Sequence, residues 1–159
     1  ICWTLLTTLP ISTAEEIQFV VNLYLARWSI EVFFYVLKTG CKIEKLQFET
    51  AHSLLNCVTL FMIIAWRLYF ITFLGRNCPG LCCTLIFEED EWKSVFAVVK
   101  KAKPPAVPPT LGEIVRMIGT LGGFLGRKCD GDPGPKAMWI GLQKLVGCAQ
   151  GWAAYRDFG

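Results

Sequence analysis

Two long apolar stretches, the first opened and closed by helix signals, restrict this chain to a mainly helical fold. The first follows Ser12 and Thr13 and is expected to run to about Lys38, where Gly40 is placed to end it. Ser12 with Glu15, or Thr13 with Glu16, has the spacing of a capping box. The second stretch, residues 52–76, is apolar almost all round, as a core helix packed against the first would be. Before both, residues 1–8 (ICWTLLTT) are aromatic, β-branched and apolar and stop at Pro10, which predicts a short buried strand.

The few polar residues of the first helix are not scattered. Only 18% of the chain is charged. At about 100° per residue, and with Tyr24 at zero, Arg27 falls near 300°, Glu31 near 340° and Lys38 near 320°. All four project from one strip roughly 60° wide. One reading is a narrow solvated stripe held by an Arg27–Glu31 pair. The sharper reading is a buried helix that aims one acidic and two basic groups into a site.

From Arg76 the character changes. Acidic residues Glu88, Glu89 and Asp90 open a segment that Lys100 and Lys101 close, the order that suits a helix dipole. A proline-rich linker follows at 102–110. Thr110 and Glu113 can cap a helix through residue 123, and a turn-rich segment leads to a last helix over about 138–155.

Composition narrows the function classes. A hydrophobic share of 53% excludes a disordered chain, and a net charge of +3 permits a nucleic-acid partner without arguing for one. The eight cysteines form no C-x2-C pair and His52 is the only histidine, so neither a zinc site nor a redox motif is expected. A reduced, cytoplasmic protein is expected. Residues 52–76 approach the length of a membrane span, but Arg67 lies inside them at a cost of about 2.5–3.5 kcal/mol. No membrane partner is expected. The chain opens on Ile1 without a basic segment, unlike a signal peptide, and reads as the interior of a longer polypeptide.

The pattern Y-x2-R-x3-E-x6-K, met by Tyr24, Arg27, Glu31 and Lys38, resembles the signature of bacterial insertion-sequence DDE transposases, in the cut-and-paste branch that excises DNA through a hairpin. WTLLTTLP before the helix, RWSIE within it and KTGCKIEKLQFE after it agree, and LGGFLGRKCDGDPGPKAMWIGLQKL resembles that family's C-terminal dimerisation segment. The resemblance implies the last strand and catalytic helix of a ribonuclease-H-like α/β domain over 1–76, a connecting helix and linker over 77–109, and a helical dimerisation region over 110–159. It implies phosphoryl transfer at transposon ends on two metal ions, Mg2+ or Mn2+, with Glu31 as the catalytic, metal-binding third carboxylate.

The same resemblance assigns DNA contacts to Tyr24, Arg27 and Lys38; Lys42 and Lys45, which follow, either extend the track or form a solvated basic turn. Trp3 would support a flipped base, although a tryptophan opening a strand also suits a core. A homodimer is implied, because two DNA ends must be held together. For its interface the sequence offers Gly119, Gly122 and Gly123, which would let another backbone approach, and Leu121, Trp139, Leu142 and Leu145 at helical spacing, a stripe that serves local packing into the rest of the chain equally well.

One departure limits the activity expected. The family's two aspartates precede the glutamate, whereas Asp90, Asp130, Asp132 and Asp157 all follow it. Alone, this chain is expected not to cut DNA. The alternative function is a non-catalytic helical interaction module, or a relic of a transposase, that binds a partner subunit.

Overall fold

A computed structural model describes residues 2, 4–127 and 129–158. Five α-helices carry it: α1 (Ala14–Tyr35), α2 (Ala51–Asn77), α3 (Glu89–Lys100), α4 (Leu111–Leu121) and α5 (Pro135–Phe158). Their starts are set by capping chemistry. Thr13 accepts from the Glu16 amide while Glu16 Oε2 accepts from the Ser12 and Thr13 amides at 2.8 and 3.1 Å. Thr110 and Glu113 form the same box on α4, and Glu88 and Glu91 form it on α3. Thr50 caps α2. Each box satisfies helix amides that would otherwise lack partners.

The core lies at the C-terminal side of the chain. Leu111, Ile114 and Ile118 of α4, Met138 and Leu145 of α5, and Trp92 and Val95 of α3 are buried together with Ala65, Leu68 and Ile71 of α2. Close crossings depend on missing side chains. A Cβ on Gly141 of α5 would stand 2.0 Å from the Ile118 carbonyl oxygen, and one on Gly122 would stand 1.8 Å from that of Ala137. The α4 and α5 backbones therefore touch at a distance only glycine permits.

Loops fasten this cluster. Cys82 and Thr110 form an antiparallel bridge, and the amides of Leu111 and Gly112 donate to Leu81 and Pro79 carbonyls at 2.7 and 3.0 Å. Lys144 of α5 donates to the Leu121 carbonyl at 2.8 Å, which satisfies one open end of α4.

Two expectations change. Among the described residues there is no strand, and Cys2 and residues 4–8 form no β-ladder. A strand needs a neighbour for its ladder, and no described segment offers one. Nor is α1 a buried helix. No residue of Ala14–Tyr35 is buried, and Phe19, Leu25, Trp28 and Ile30 are exposed. No described element covers them. Only where α1 widens into a π turn, Val36–Gly40, does the chain enter the core, through Val36 and Leu37.

In α2 the burial is likewise one-ended. The buried residues are Ala65, Leu68, Ile71, Thr72 and Gly75, while Leu55, Leu60 and Ile63 are exposed. Thus α2 packs mainly on α4 and α5, and to a lesser extent on α1 and the π turn. Ala14–Gly40 and Ala51–Asn77 are both long and apolar enough to cross a membrane, which by length and composition alone is weak evidence of one.

Candidate nucleic-acid interface and dimerisation region

The strip on α1 forms as its spacing predicts for three of its four members. Arg27 Nη1 lies 2.8 Å from Glu31 Oε1, and its guanidinium carbon stands 5.4 Å from the centre of the Tyr24 ring. The hydrogen bond to Tyr24, then the bond and charge of Glu31, raise the Arg27 pKa above its ordinary value. Both charged side chains of the pair are about half exposed, at 52% and 42%. Such a pair stabilises a fold little, so either partner is free to exchange it for a ligand.

Lys38 is held elsewhere. It sits on the π turn, and its Nζ lies 3.1 Å from Glu44 Oε1. Glu44 was not among the residues expected to matter. A π turn rotates the backbone differently from an α-helix, so the fourth position of the strip meets the following 3-10 turn, Ile43–Lys45.

Lys42, between the two turns, has φ 53° and ψ 39°. This left-handed conformation costs a lysine about 1–2 kcal/mol and a glycine nothing comparable. The turn carries Lys42 to a cleft of about 410 Å³ between the π turn and the start of α5. Tyr35, Thr39, Lys42, Lys136, Trp139 and Gln143 contribute to its wall, and none of its lining residues is acidic. The Trp139 ring lies against Gly40, where a Cβ would come within 3.0 Å of it. Neither Lys42 nor Lys136 has a carboxylate within ion-pair distance among the described residues. Lys136 was not foreseen. Its only sequence signal is its position after Pro135 at a helix start. Trp3 lies outside the described residues, and Lys45 is an exposed residue of the 3-10 turn.

A metal site is not completed here. Among the described residues no three Asp, Glu, His or Cys side chains gather as metal ligands. Asp90 bonds Arg156, Asp132 bonds Arg116, Asp130 accepts from the Arg127 amide, and Asp157 bonds Arg156. Glu31 is thus a single carboxylate with an arginine on it. The residues present do not fit a two-metal centre by themselves.

The cysteines are all free thiols. Burial pushes the Cys83 thiol up to about 11 and raises that of Cys41. Exposed Cys82 is lowered by its hydrogen bonds with Thr84, whose hydroxyl is 3.0 Å from its sulfur.

The residues offered for dimerisation divide. Gly119 is buried against this chain's own Pro133, where a Cβ would lie 2.5 Å from Cγ, and Gly122 is half-buried against α5. What they admit is internal: the Pro133 ring at Gly119 and the α5 backbone at Gly122. Leu145 is 2% exposed and belongs to the core, with Leu121, Trp139 and Leu142 packed on it half-buried. Gly123, at φ 95°, forms the turn after α4 and faces open space. Val146, Tyr155 and Phe158 of α5 are exposed.

A second cleft, about 490 Å³, lies between α2 and α5 and is mainly apolar, with Phe61, Ile64, Leu142 and Val146 in its wall. Its charges, Arg67 and Glu91, pair with each other at 3.3 Å.

Residues 63–158 match the family model for the transposase Tn5 dimerisation domain. The match begins just before Ala65, the first buried residue of α2, and takes in most of the packed cluster, with Val36, Leu37 and Cys41 lying before it. The chain belongs to the transposase Tn5 dimerisation domain family.

Proposed function

We propose that this chain is the C-terminal portion of a cut-and-paste DNA transposase of the DDE type. In it α1 contributes to the catalytic domain, and residues 63–158 pair two copies so that two transposon ends are held together. The observation that carries the reading is the joining, in one chain, of the Tyr24–Arg27–Glu31 strip to a transposase dimerisation domain. Neither alone says as much: an Arg–Glu pair is ordinary on any helix, and a dimerisation domain does no chemistry.

In this reading α1 is the last helix of a ribonuclease-H-like domain. Its uncovered apolar residues support that, because an exposed surface of this extent is where another structural element packs. Glu31 contributes one carboxylate to a magnesium or manganese site whose other ligands come from outside this chain. Tyr24 and Arg27 bind phosphate there, and the guanidinium matches a phosphate in two-pronged fashion. The metal, when bound, would supply charge stabilisation at the oxygens exchanged in strand transfer, including those that form the hairpin. The free thiols suit a cytoplasmic setting.

The test is the complete transposase with Glu31→Gln. Magnesium-dependent cleavage of transposon ends should vanish while end binding persists, since an amide is a poor ligand for a hard cation of nearly the same shape. Cleavage at an undiminished rate would refute the role of Glu31. The homodimer is tested on the chain itself: sedimentation equilibrium should show self-association, and a monomer at all concentrations would count against the pairing role.

A second reading is favoured by one observation. No group of three metal-ligating side chains forms with Glu31 among the described residues. A non-catalytic module, or a relic of a transposase, that still binds a partner subunit would need none. Two aspartates on strands preceding α1 in the parent protein separate the readings.

A further inference from the structure

We propose that the cleft between the π turn and α5 binds a phosphate of the DNA backbone, held by Lys42 and Lys136. The inference rests on the transposase reading and extends it: the dimerisation region itself touches DNA, through a residue outside the signature.

Charge separates this cleft from the others. The apolar cleft between α2 and α5 carries one arginine and one glutamate, already paired. Those beside α3 include Glu88, Glu89 or Asp90 in their walls. The cleft lined by Lys42 and Lys136 has two cations and no anion, so it attracts a negative ligand. The remaining polar groups suit a phosphate as well. Tyr35 and Thr39 offer hydroxyl donors, Gln143 offers an amide, and Trp139 gives a flat apolar wall on which a sugar or base can rest.

Availability is the second argument. Arg27 is occupied by Glu31 and Lys38 by Glu44, and each must give up a carboxylate before it takes a phosphate. Lys42 and Lys136 have no carboxylate to give up among the described residues. They come from two separate parts of the fold, the turn after α1 and the first turn of α5, and line one cleft beside the packing of Trp139 on Gly40. A strand that follows the strip on α1 passes Lys38 and reaches Lys42, then crosses to α5. The cleft therefore couples the position of DNA to the element that pairs two copies.

The experiment uses the unsubstituted 159-residue chain and a fluorescein-labelled duplex, with anisotropy followed across a salt titration. Lys136→Gln removes one ammonium, and Lys42→Gly removes the other while keeping the left-handed turn. Each should reduce the slope of log K against log salt by about 0.9, which is about fivefold in affinity near 0.15 M salt, and the double variant by about twice that slope. Lys103→Gln, on the proline-rich linker, removes the same charge elsewhere and should change the slope little. Equal losses in all three single variants, or unchanged slopes in Lys42→Gly and Lys136→Gln, overturn the proposal. Arg27→Ala separates it from the reading beneath. If Arg27→Ala weakens binding and the cleft variants do not, the cleft is wrong and the transposase reading stands. If the unsubstituted chain binds no duplex at all, both fail.

Discussion

A Cβ built on Gly141 would stand 2.0 Å from the carbonyl oxygen of Ile118, so the contact between α4 and α5 is one of backbone on backbone. Gly141→Ala must push the two helices apart in the middle of the core. Overpacking of this kind costs typically about 1–3 kcal/mol, and a rigid carbonyl cannot rotate away as a side chain can. Urea unfolding should show a loss at the upper end of that range or beyond. Gly147→Ala on the same helix, where an added Cβ meets nothing, should be neutral or slightly stabilising. Equal midpoints for the two variants would mean that α4 and α5 are farther apart than described.

Thr110 offers a second, smaller test. Its hydroxyl accepts from the Glu113 amide, and Glu113 Oε2 accepts from the Thr110 amide at 2.9 Å. Thr110→Ala removes half of that box and should cost about 1 kcal/mol, the usual value for a lost N-cap. Thr13→Ala, in the same arrangement on an uncovered helix, should shift global unfolding less. The check is a pair of denaturation midpoints, and a larger shift for Thr13→Ala would put the core at the wrong end of the chain.

These two boxes also mark what the residue pattern could convey. Capping acts over three residues, so the starts of α1 and α4 are legible from Thr13, Glu16, Thr110 and Glu113 alone. The Tyr24, Arg27 and Glu31 strip is legible for the same reason, since one helix fixes it. What requires two elements to meet was not legible. Helical spacing cannot say whether Gly119 and Gly122 admit another chain or this one, and the answer came from Pro133 and Ala137. Nor can it place Lys136 opposite Lys42, or show that Lys38 turns to Glu44 where the helix widens.

The cysteines should differ sharply in reactivity. Cys82 is exposed, and its hydrogen bonds with Thr84 lower its pKa, so iodoacetamide near neutral pH should modify it ahead of Cys41 and Cys83. Cys83, fully buried, should react only on unfolding. Peptide mapping after brief alkylation gives the order. Thr84→Val should slow Cys82 without affecting Cys83; rapid labelling of Cys83 in the native protein would contradict its burial.

Cys83 also sets an alkaline limit on stability. Its thiol titrates at about 11 in the folded chain against an ordinary 9.0. Below pH 9 both states keep the proton and the group does not affect the balance. Between about pH 9 and 11 the unfolded chain loses it while the folded chain holds it, so unfolding is favoured increasingly as pH rises, and the loss levels off once the folded thiol also ionises. The urea midpoint should therefore fall through that window. Cys83→Ala removes the coupling, and because alanine is smaller it should start from a lower midpoint yet fall less steeply. Parallel declines in the two proteins would assign the alkaline loss to other groups and leave Cys83 as packing alone.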